Sequence, residues 1–159
     1  MRYLIQQQTF SDQTLKRLFS LGNHYAVFDE QNNKIYTIDG TYRTLSVYNT
    51  NKTLVGFIKR NQASYGLPHS SAKIYLGGKY LGDVRTDGSV SRKWIFDHNR
   101  WNIDRDFIDH DYVVRDAKDE VIANAKKNYF GSCSEYTLSP CKEKDTLLLI
   151  LLFIAIDNL

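Results

Sequence analysis

The sequence predicts a mainly β protein: a closed antiparallel barrel of about twelve strands that encloses an apolar C-terminal α-helix. Short extended segments are broken by turn residues every 8–12 positions, which is typical of all-β barrels and sandwiches. Several consecutive segments are joined by turns rich in Asn, Asp or Gly, which predicts hairpins in series and therefore an antiparallel meander. The chain then finishes with an uninterrupted apolar run from Leu147 to Ile156.

That run lies in a helix predicted over residues 145–159, whose first turn Asp145 or Thr146 can cap. A helix on the surface of a domain needs one polar face, and this run has none. Its ten apolar residues are also fewer than the ~20 needed to cross a bilayer. The helix is therefore predicted to be surrounded by protein. A barrel of about twelve strands is wide enough to hold it.

The N-terminal part of the chain contains the first strand, predicted over residues 2–10. Residues 11–20 are predicted as a short surface helix or a loop, because Leu15, Leu18 and Phe19 recur at helical spacing after a capping serine.

Four hairpins follow, each made of a strand, a turn and a strand. Their turns are predicted at residues 29–33, 49–51, 77–78 and 116–119. Asn, Asp and Gly suit these turns because they tolerate the positive φ that such turns require. Residues 61–71 are predicted to form a loop, and further strands are predicted at residues 90–97, 100–104 and 134–138.

Alternation along the strands predicts which side chains share a face: Leu54, Gly56 and Ile58 in one strand, and Val121, Ala123 and Ala125 in another. The small residues in these two sets, together with Gly82, are predicted where strands come close to the enclosed helix, since only short side chains leave room for it.

The whole chain, residues 1–159, is predicted to be a single domain, with residues 145–159 as its central helix. Apolar residues make up 42% of the chain and charged residues 25%, which is ordinary for a soluble globular protein. The sequence begins directly with strand-like residues, so we expect no targeting peptide and a cytoplasmic location. Cys133 and Cys141 fit no zinc or redox spacing, and pairing between them is not expected in a reducing compartment.

The net charge of +3 is too small to indicate a nucleic-acid partner. No catalytic motif is evident, since there is no Gly-x-Ser-x-Gly sequence and Gly77-Gly78 is a hairpin turn rather than a phosphate loop. Acidic and histidine residues are concentrated in residues 97–111, but the spacing matches no EF-hand, and acidic turns between strands explain it better. We therefore predict no enzyme, no cofactor and no metal site, while an enzyme of unknown type stays as a minor alternative.

The chain resembles the LURP-one-related family, of the tubby C-terminal-domain and phospholipid-scramblase superfamily. The resemblance extends over nearly the whole chain, and it is carried by these segments: Phe19-Ser-Leu-Gly22, Tyr25-Ala-Val-Phe-Asp-Glu30, Phe57-Ile-Lys-Arg60, His110-Asp-Tyr-Val-Val-Arg-Asp116, Val121-Ile-Ala-Asn-Ala-Lys-Lys127 and the terminal helix at residues 147–158. It implies a twelve-stranded barrel around a central C-terminal helix, as the sequence pattern does independently. Tubby relatives bind phosphoinositide headgroups through surface Lys and Arg.

Three basic pairs near strand ends are the candidate binding residues: Lys59 and Arg60, Arg92 and Lys93, and Lys126 and Lys127. If the hairpins bring them to one rim, they can hold an anionic phospholipid or phosphoinositide headgroup. The alternative interpretation is that they are solvated charges that discourage strand pairing. The sequence thus predicts a non-catalytic binding module, peripheral at a membrane and not spanning it, or else a protein-interaction or structural protein without a lipid ligand.

Asp157 poses a separate question, because a negative charge at the C-terminal end of a helix opposes the helix dipole. We expect Lys or Arg from the barrel rim, or water, beside it.

Overall fold

Twelve antiparallel strands form a closed barrel in the computed structural model of the chain, which describes residues 1–8, 22–41, 43–61, 71–86, 93–106, 111–130 and 133–157. Each strand pairs with the next in the sequence, and β12 closes the barrel on β1, with Ile5 opposite Tyr136. Since every strand has two neighbours, the barrel has no free sheet edge. The predicted fold class is confirmed.

The strands are β1 (Tyr3–Gln7), β2 (Gly22–Phe28), β3 (Lys34–Thr41), β4 (Thr44–Asn49), β5 (Leu54–Asn61), β6 (Ser71–Leu76), β7 (Lys79–Thr86), β8 (Trp94–Phe96), β9 (Trp101–Arg105), β10 (Asp111–Arg115), β11 (Val121–Phe130) and β12 (Cys133–Pro140). A single 3-10 turn at Glu143–Asp145 leads into the helix α1, Thr146–Ile156. We define the upper end of the barrel as the end at which the odd-numbered strands finish. Chain order makes α1 enter from the lower end, directly after β12.

Side-chain hydrogen bonds fix three of the lower hairpin turns. Asp29 accepts from the backbone N–H of Gln31 and Asn33, at 3.0 and 2.8 Å. Asn49 and Asp116 each make the same pair of bonds in the β4–β5 and β10–β11 turns. The Asn33 N–H, as the largest cause, holds the pKa of Asp29 below its usual range. The fourth predicted turn has positive φ at both of its glycines. The predicted positive φ is found at Asn32, Asp119 and both glycines, but in the β4–β5 turn it falls on Lys52 and not on an Asn, Asp or Gly.

The helix α1 is buried on every side. Ten of its eleven residues are buried, and Leu149, Ile150, Leu151, Ile154 and Ala155 are completely inaccessible. Each large apolar side chain that is fully buried contributes about 1.5–3 kcal/mol. The prediction of an enclosed helix is confirmed, but the predicted cap differs. Asp145 occupies the N-cap position without making a side-chain hydrogen bond to the helix.

Gly56 gives α1 the space it needs against β5. A Cβ atom at this position would lie 2.9 and 3.0 Å from the two methyl carbons of Leu151. Ala123 and Ala125 are buried in the same core. Gly82 has a different role from the predicted one, because the atoms nearest to a Cβ there belong to His98 and Phe96, not to the helix.

Each of the two sets of residues predicted to share a face contains one wrong member, which is its first residue. Leu54 is 52% exposed and Val121 is 38% exposed, whereas Gly56 and Ala123 are buried. A register shift in each hairpin adds one residue next to the turn and so interrupts the alternation. The positive φ of Lys52 and Asp119, the fourth residue of each turn, belongs to the same hairpin geometry.

Within the predicted strands 2–10 and 90–97 the structure shows β1 and β8, while residues 9–10 and 90–92 lie outside the described residues; the predicted strand 134–138 is part of the longer β12. The predictions for residues 11–20, and for 62–70 within the predicted loop, lie outside the described residues. Asn61 and Ser71, predicted as the ends of that loop, belong instead to β5 and β6.

Replacing Gly56 by Val should lower the free energy of unfolding by about 1–3 kcal/mol, because the added carbons overlap Leu151 in a closed interior. Urea denaturation measures the loss. The penalty should be smaller in a Leu151→Ala background, where the space is vacant. An equal penalty in both backgrounds would show that this contact does not limit the packing of α1.

Candidate binding surface

The members of each described basic pair lie on opposite faces of the barrel wall. Lys59 is exposed whereas Arg60 is 4% exposed. The side chain of Lys126 is 57% exposed and that of Lys127 only 11%. Adjacent residues in a strand necessarily point to opposite faces. The two pairs therefore do not contribute four cations to one surface.

Arg60 is directed into the barrel, where it meets the C-terminal end of α1. Its guanidinium donates to the backbone carbonyl of Ile154 at 2.6 Å and to that of Ala155 at 3.4 Å. The last carbonyls of a helix have no partner within the helix and carry a partial negative charge. Arg60 thus satisfies carbonyl groups that the barrel wall excludes from water.

Lys127 is the inward cation of the second pair, and it binds Asp157. Its ammonium lies 2.5 Å from Oδ1 of Asp157, whose side chain is 5% exposed. The hydroxyl of Tyr25 donates to Oδ2 at 2.9 Å, and that of Tyr136 donates to Oδ1. The ammonium also lies 5.0 Å from the centre of the Tyr136 ring. The expected partner of Asp157 is therefore found.

Two of the remaining outward cations pair with the acidic stretch of the sequence. Lys93 lies 3.2 Å from Asp104, and Lys126 lies 3.8 Å from Asp111. Such exposed pairs contribute little to stability. Arg92 lies outside the described residues.

Lys59 faces a second lysine across the barrel surface. In the β5–β6 register it is directly opposite Lys73, and Lys73 is opposite Asp83 of β7. Directly opposed side chains have Cβ atoms roughly 4.5–5.5 Å apart, and like charges at that spacing repel. Lys73 is partly compensated, since its ammonium lies 3.3 Å from Asp83. Within the described residues Lys59 has no carboxylate partner.

An aromatic row lies beside these charges, towards the lower end. Phe57 is opposite Tyr75, and Tyr75 is opposite Tyr80. The rings of Phe57 and Tyr75 have centroids 5.8 Å apart, and those of Tyr75 and Tyr80 are 5.5 Å apart. Tyr80 is 52% exposed. We call the surface formed by Phe57, Lys59, Lys73, Tyr75, Tyr80 and Asp83 the β5–β7 face.

Tyr80 also belongs to the polar part of this face. Its hydroxyl donates to Asp83 at 2.7 Å, and this hydrogen bond, as the largest cause, raises the pKa of Tyr80 to about 12. The phenol therefore stays neutral at physiological pH. The ammonium of Lys73 lies 5.2 Å from the centre of the Tyr80 ring, so the lysine contacts both the ring and the carboxylate.

Sequence reasoning identified Lys59 but not its neighbours on this face. Lys73 becomes its partner only through the β5–β6 register. The Lys73–Asp83 pairing depends on a register shift between Ile74 and Tyr75. No sequence pattern predicts that register shift.

The described residues contain no group of three or more His, Cys, Asp or Glu positioned to hold a metal ion. Within the same residues, no helix combines the length and apolar character needed to span a bilayer.

Cys141 is a free, exposed thiol at the lower end of the barrel.

The chain matches a known protein family. The family model described as LURP-one-related matches residues 13–157, which is most of the chain. Neither the curated proteins nor the solved structures gave a match.

Matched lysine and arginine substitutions should separate the inward cations from the outward ones. Arg60→Met should reduce the free energy of unfolding by about 1–3 kcal/mol, because buried carbonyls lose their donor. Lys127→Met should cost at least as much, because it leaves the Asp157 carboxylate without its cation. The neighbours Lys59→Met and Lys126→Met should stay within about 0.5 kcal/mol of the wild type.

Chemical denaturation of the four variants measures these differences. Equal effects for the two members of each pair would contradict the inward role of Arg60 and Lys127.

Proposed function

Because the chain belongs to the LURP-one-related family, of the tubby-like and scramblase superfamily, we propose that it is a non-catalytic binding module that associates with anionic phospholipid headgroups at a membrane surface. The observation that carries the proposal is the β5–β7 face, where two opposed lysines lie beside three clustered aromatic rings.

The filled interior directs any ligand to the outer surface. Barrels that hold a small ligand do so in a central cavity. Here α1 occupies that space, with ten of its residues buried. The same argument disfavours a catalytic site inside the barrel, because such sites need a concave pocket with convergent polar groups. Arg60 and Lys127 already bind the end of the helix, so they are poor candidates for direct headgroup contact.

The charges of the β5–β7 face favour an anion. Opposed Lys59 and Lys73 repel each other, and a phosphate group between them would relieve that repulsion. Lys provides a point charge for phosphate without the fixed geometry of Arg, so the expected recognition is by charge rather than by a specific headgroup. Asp83 reduces the local positive charge, which keeps the expected affinity low.

The aromatic residues favour a membrane over a free anion. Tyr and Trp are enriched at membrane interfaces, because they combine an apolar ring with a polar group. Tyr80 is half exposed and has a neutral hydroxyl, and Leu54, in the same strand as Phe57, is exposed to the same extent. Anionic lipids are concentrated in the cytoplasmic leaflet, so the proposal implies a peripheral location on the cytoplasmic side.

Vesicle co-sedimentation tests this proposal. Wild-type protein should bind vesicles that contain phosphatidylserine more strongly than vesicles of phosphatidylcholine alone, and binding should fall as salt is raised. The double variant Lys59→Gln/Lys73→Gln should bind at least about ten-fold more weakly, since each lysine near an anionic surface contributes about 1 kcal/mol. The charge-matched control is Lys118→Gln/Lys142→Gln, which alters two exposed lysines far from the β5–β7 face.

Equal binding by both double variants, or no binding by the wild type, would refute the membrane proposal. A protein partner that survives high salt and depends on Tyr80 would instead assign this face to a protein–protein contact.

A further inference from the structure

A groove along β3 and β4, next to the β5–β7 face, has the size of a small-molecule site. Its volume is about 610 Å³. Sites for small ligands usually have volumes of about 300–1,000 Å³. We call it the β3–β4 groove, and it is lined by Lys34, Ile35, Tyr36, Thr37, Asp39, Tyr48, Asn49, Thr50 and Lys52.

The charges of the groove are separated along its length. Lys34 begins β3 and Lys52 lies in the β4–β5 turn, so both lie at the lower end, where Tyr36 is opposite Asn49. Asp39 lies five residues further along β3, about 17 Å away for an extended strand. Its carboxylate is 2.7 Å from Nδ1 of His24. Among the described residues no carboxylate lies within ion-pair distance of Lys34 or Lys52.

The backbone that carries Lys52 is held in place by its turn. The side chain of Asn49 accepts hydrogen bonds from the N–H groups of Asn51 and Thr53, at 3.0 and 2.9 Å. The N–H of Lys52 donates to the carbonyl of Asn49 at 2.9 Å, and Lys52 has a φ of 59°. The cationic end of the groove therefore has a fixed backbone, which reduces the entropy lost when a ligand is bound.

Between the two charged ends the lining is mainly apolar. Ile35 and Tyr36 are half-buried and pack against the barrel core, and Tyr48 lines the opposite strand. Burial raises the pKa of Tyr36, so its phenol stays neutral and does not repel an anion. A ligand that fits this pattern has an apolar body and one anionic end.

We infer that the β3–β4 groove binds a small, free amphipathic carboxylate, with its anionic group between Lys34 and Lys52 and its apolar chain along Ile35 and Tyr48. The distribution of charge sets the orientation, because Asp39 at the upper end would repel the carboxylate. A peptide strand is a poorer occupant, since the closed barrel leaves β3 and β4 no unpaired edge for backbone hydrogen bonds. The groove shares no lining residue with the β5–β7 face, and the inference does not rest on membrane binding.

An NMR titration with octanoate, kept well below its micelle concentration, tests the inference. Amide shifts should be confined to β3, β4 and the β4–β5 turn. The uncharged analogue octanamide should bind more weakly, because it lacks the group that Lys34 and Lys52 recognise. In the variant Lys34→Gln/Lys52→Gln the octanoate affinity should fall by about ten-fold or more, which corresponds to the loss of one charge-assisted hydrogen bond.

Two control variants complete the test. Lys118→Gln/Lys142→Gln should bind octanoate like the wild type, and so should Lys59→Gln/Lys73→Gln, even if the latter has lost vesicle binding. The inference is overturned if octanoate produces no shifts, if its shifts lie elsewhere, or if the Lys34→Gln/Lys52→Gln variant retains full affinity.

Discussion

The meeting of the C-terminal end of α1 with inward-facing polar groups is the constraint on which the rest of the structure depends. An all-apolar helix gains stability from complete enclosure, but enclosure removes water from its last carbonyl groups. Arg60 donates to two of those carbonyls, and Lys127 neutralises the carboxylate that follows them. Without these groups the same enclosure would leave buried polar atoms unpaired, at a cost comparable to a large part of the stability of a typical domain.

Because of this requirement, the inner and outer faces of the barrel wall have different roles. Alternation directs Arg60 inward and Lys59 outward, so neighbouring cations in one strand serve the core and the surface separately. A binding function on the outside can therefore change with little effect on the interior. The β5–β7 face and the β3–β4 groove both lie on that outer side, and neither uses a residue that holds α1.

Much of the fold could be predicted from the sequence, because the signals are local. Asp29, Asn49 and Asp116 fix their turns through hydrogen bonds within five residues, and the helix lacks a polar face whatever surrounds it. The inward direction of Arg60 could also be predicted, because Arg60 lies two and four residues after Ile58 and Gly56 and therefore on the same face of the strand. The surface site was not, because the Lys59–Lys73 pairing depends on a register set by long-range packing, and Leu54 is exposed by a register shift.

Native-state hydrogen exchange of the helix amides tests most directly whether α1 is enclosed and held at its C-terminal end. If Arg60 and Lys127 hold the C-terminal end within the barrel, the amides of residues 150–156 should exchange only through global unfolding. Their opening free energies should then equal the free energy of unfolding measured by denaturant. Faster exchange of the last turn, with opening free energies well below the global value, would contradict the account.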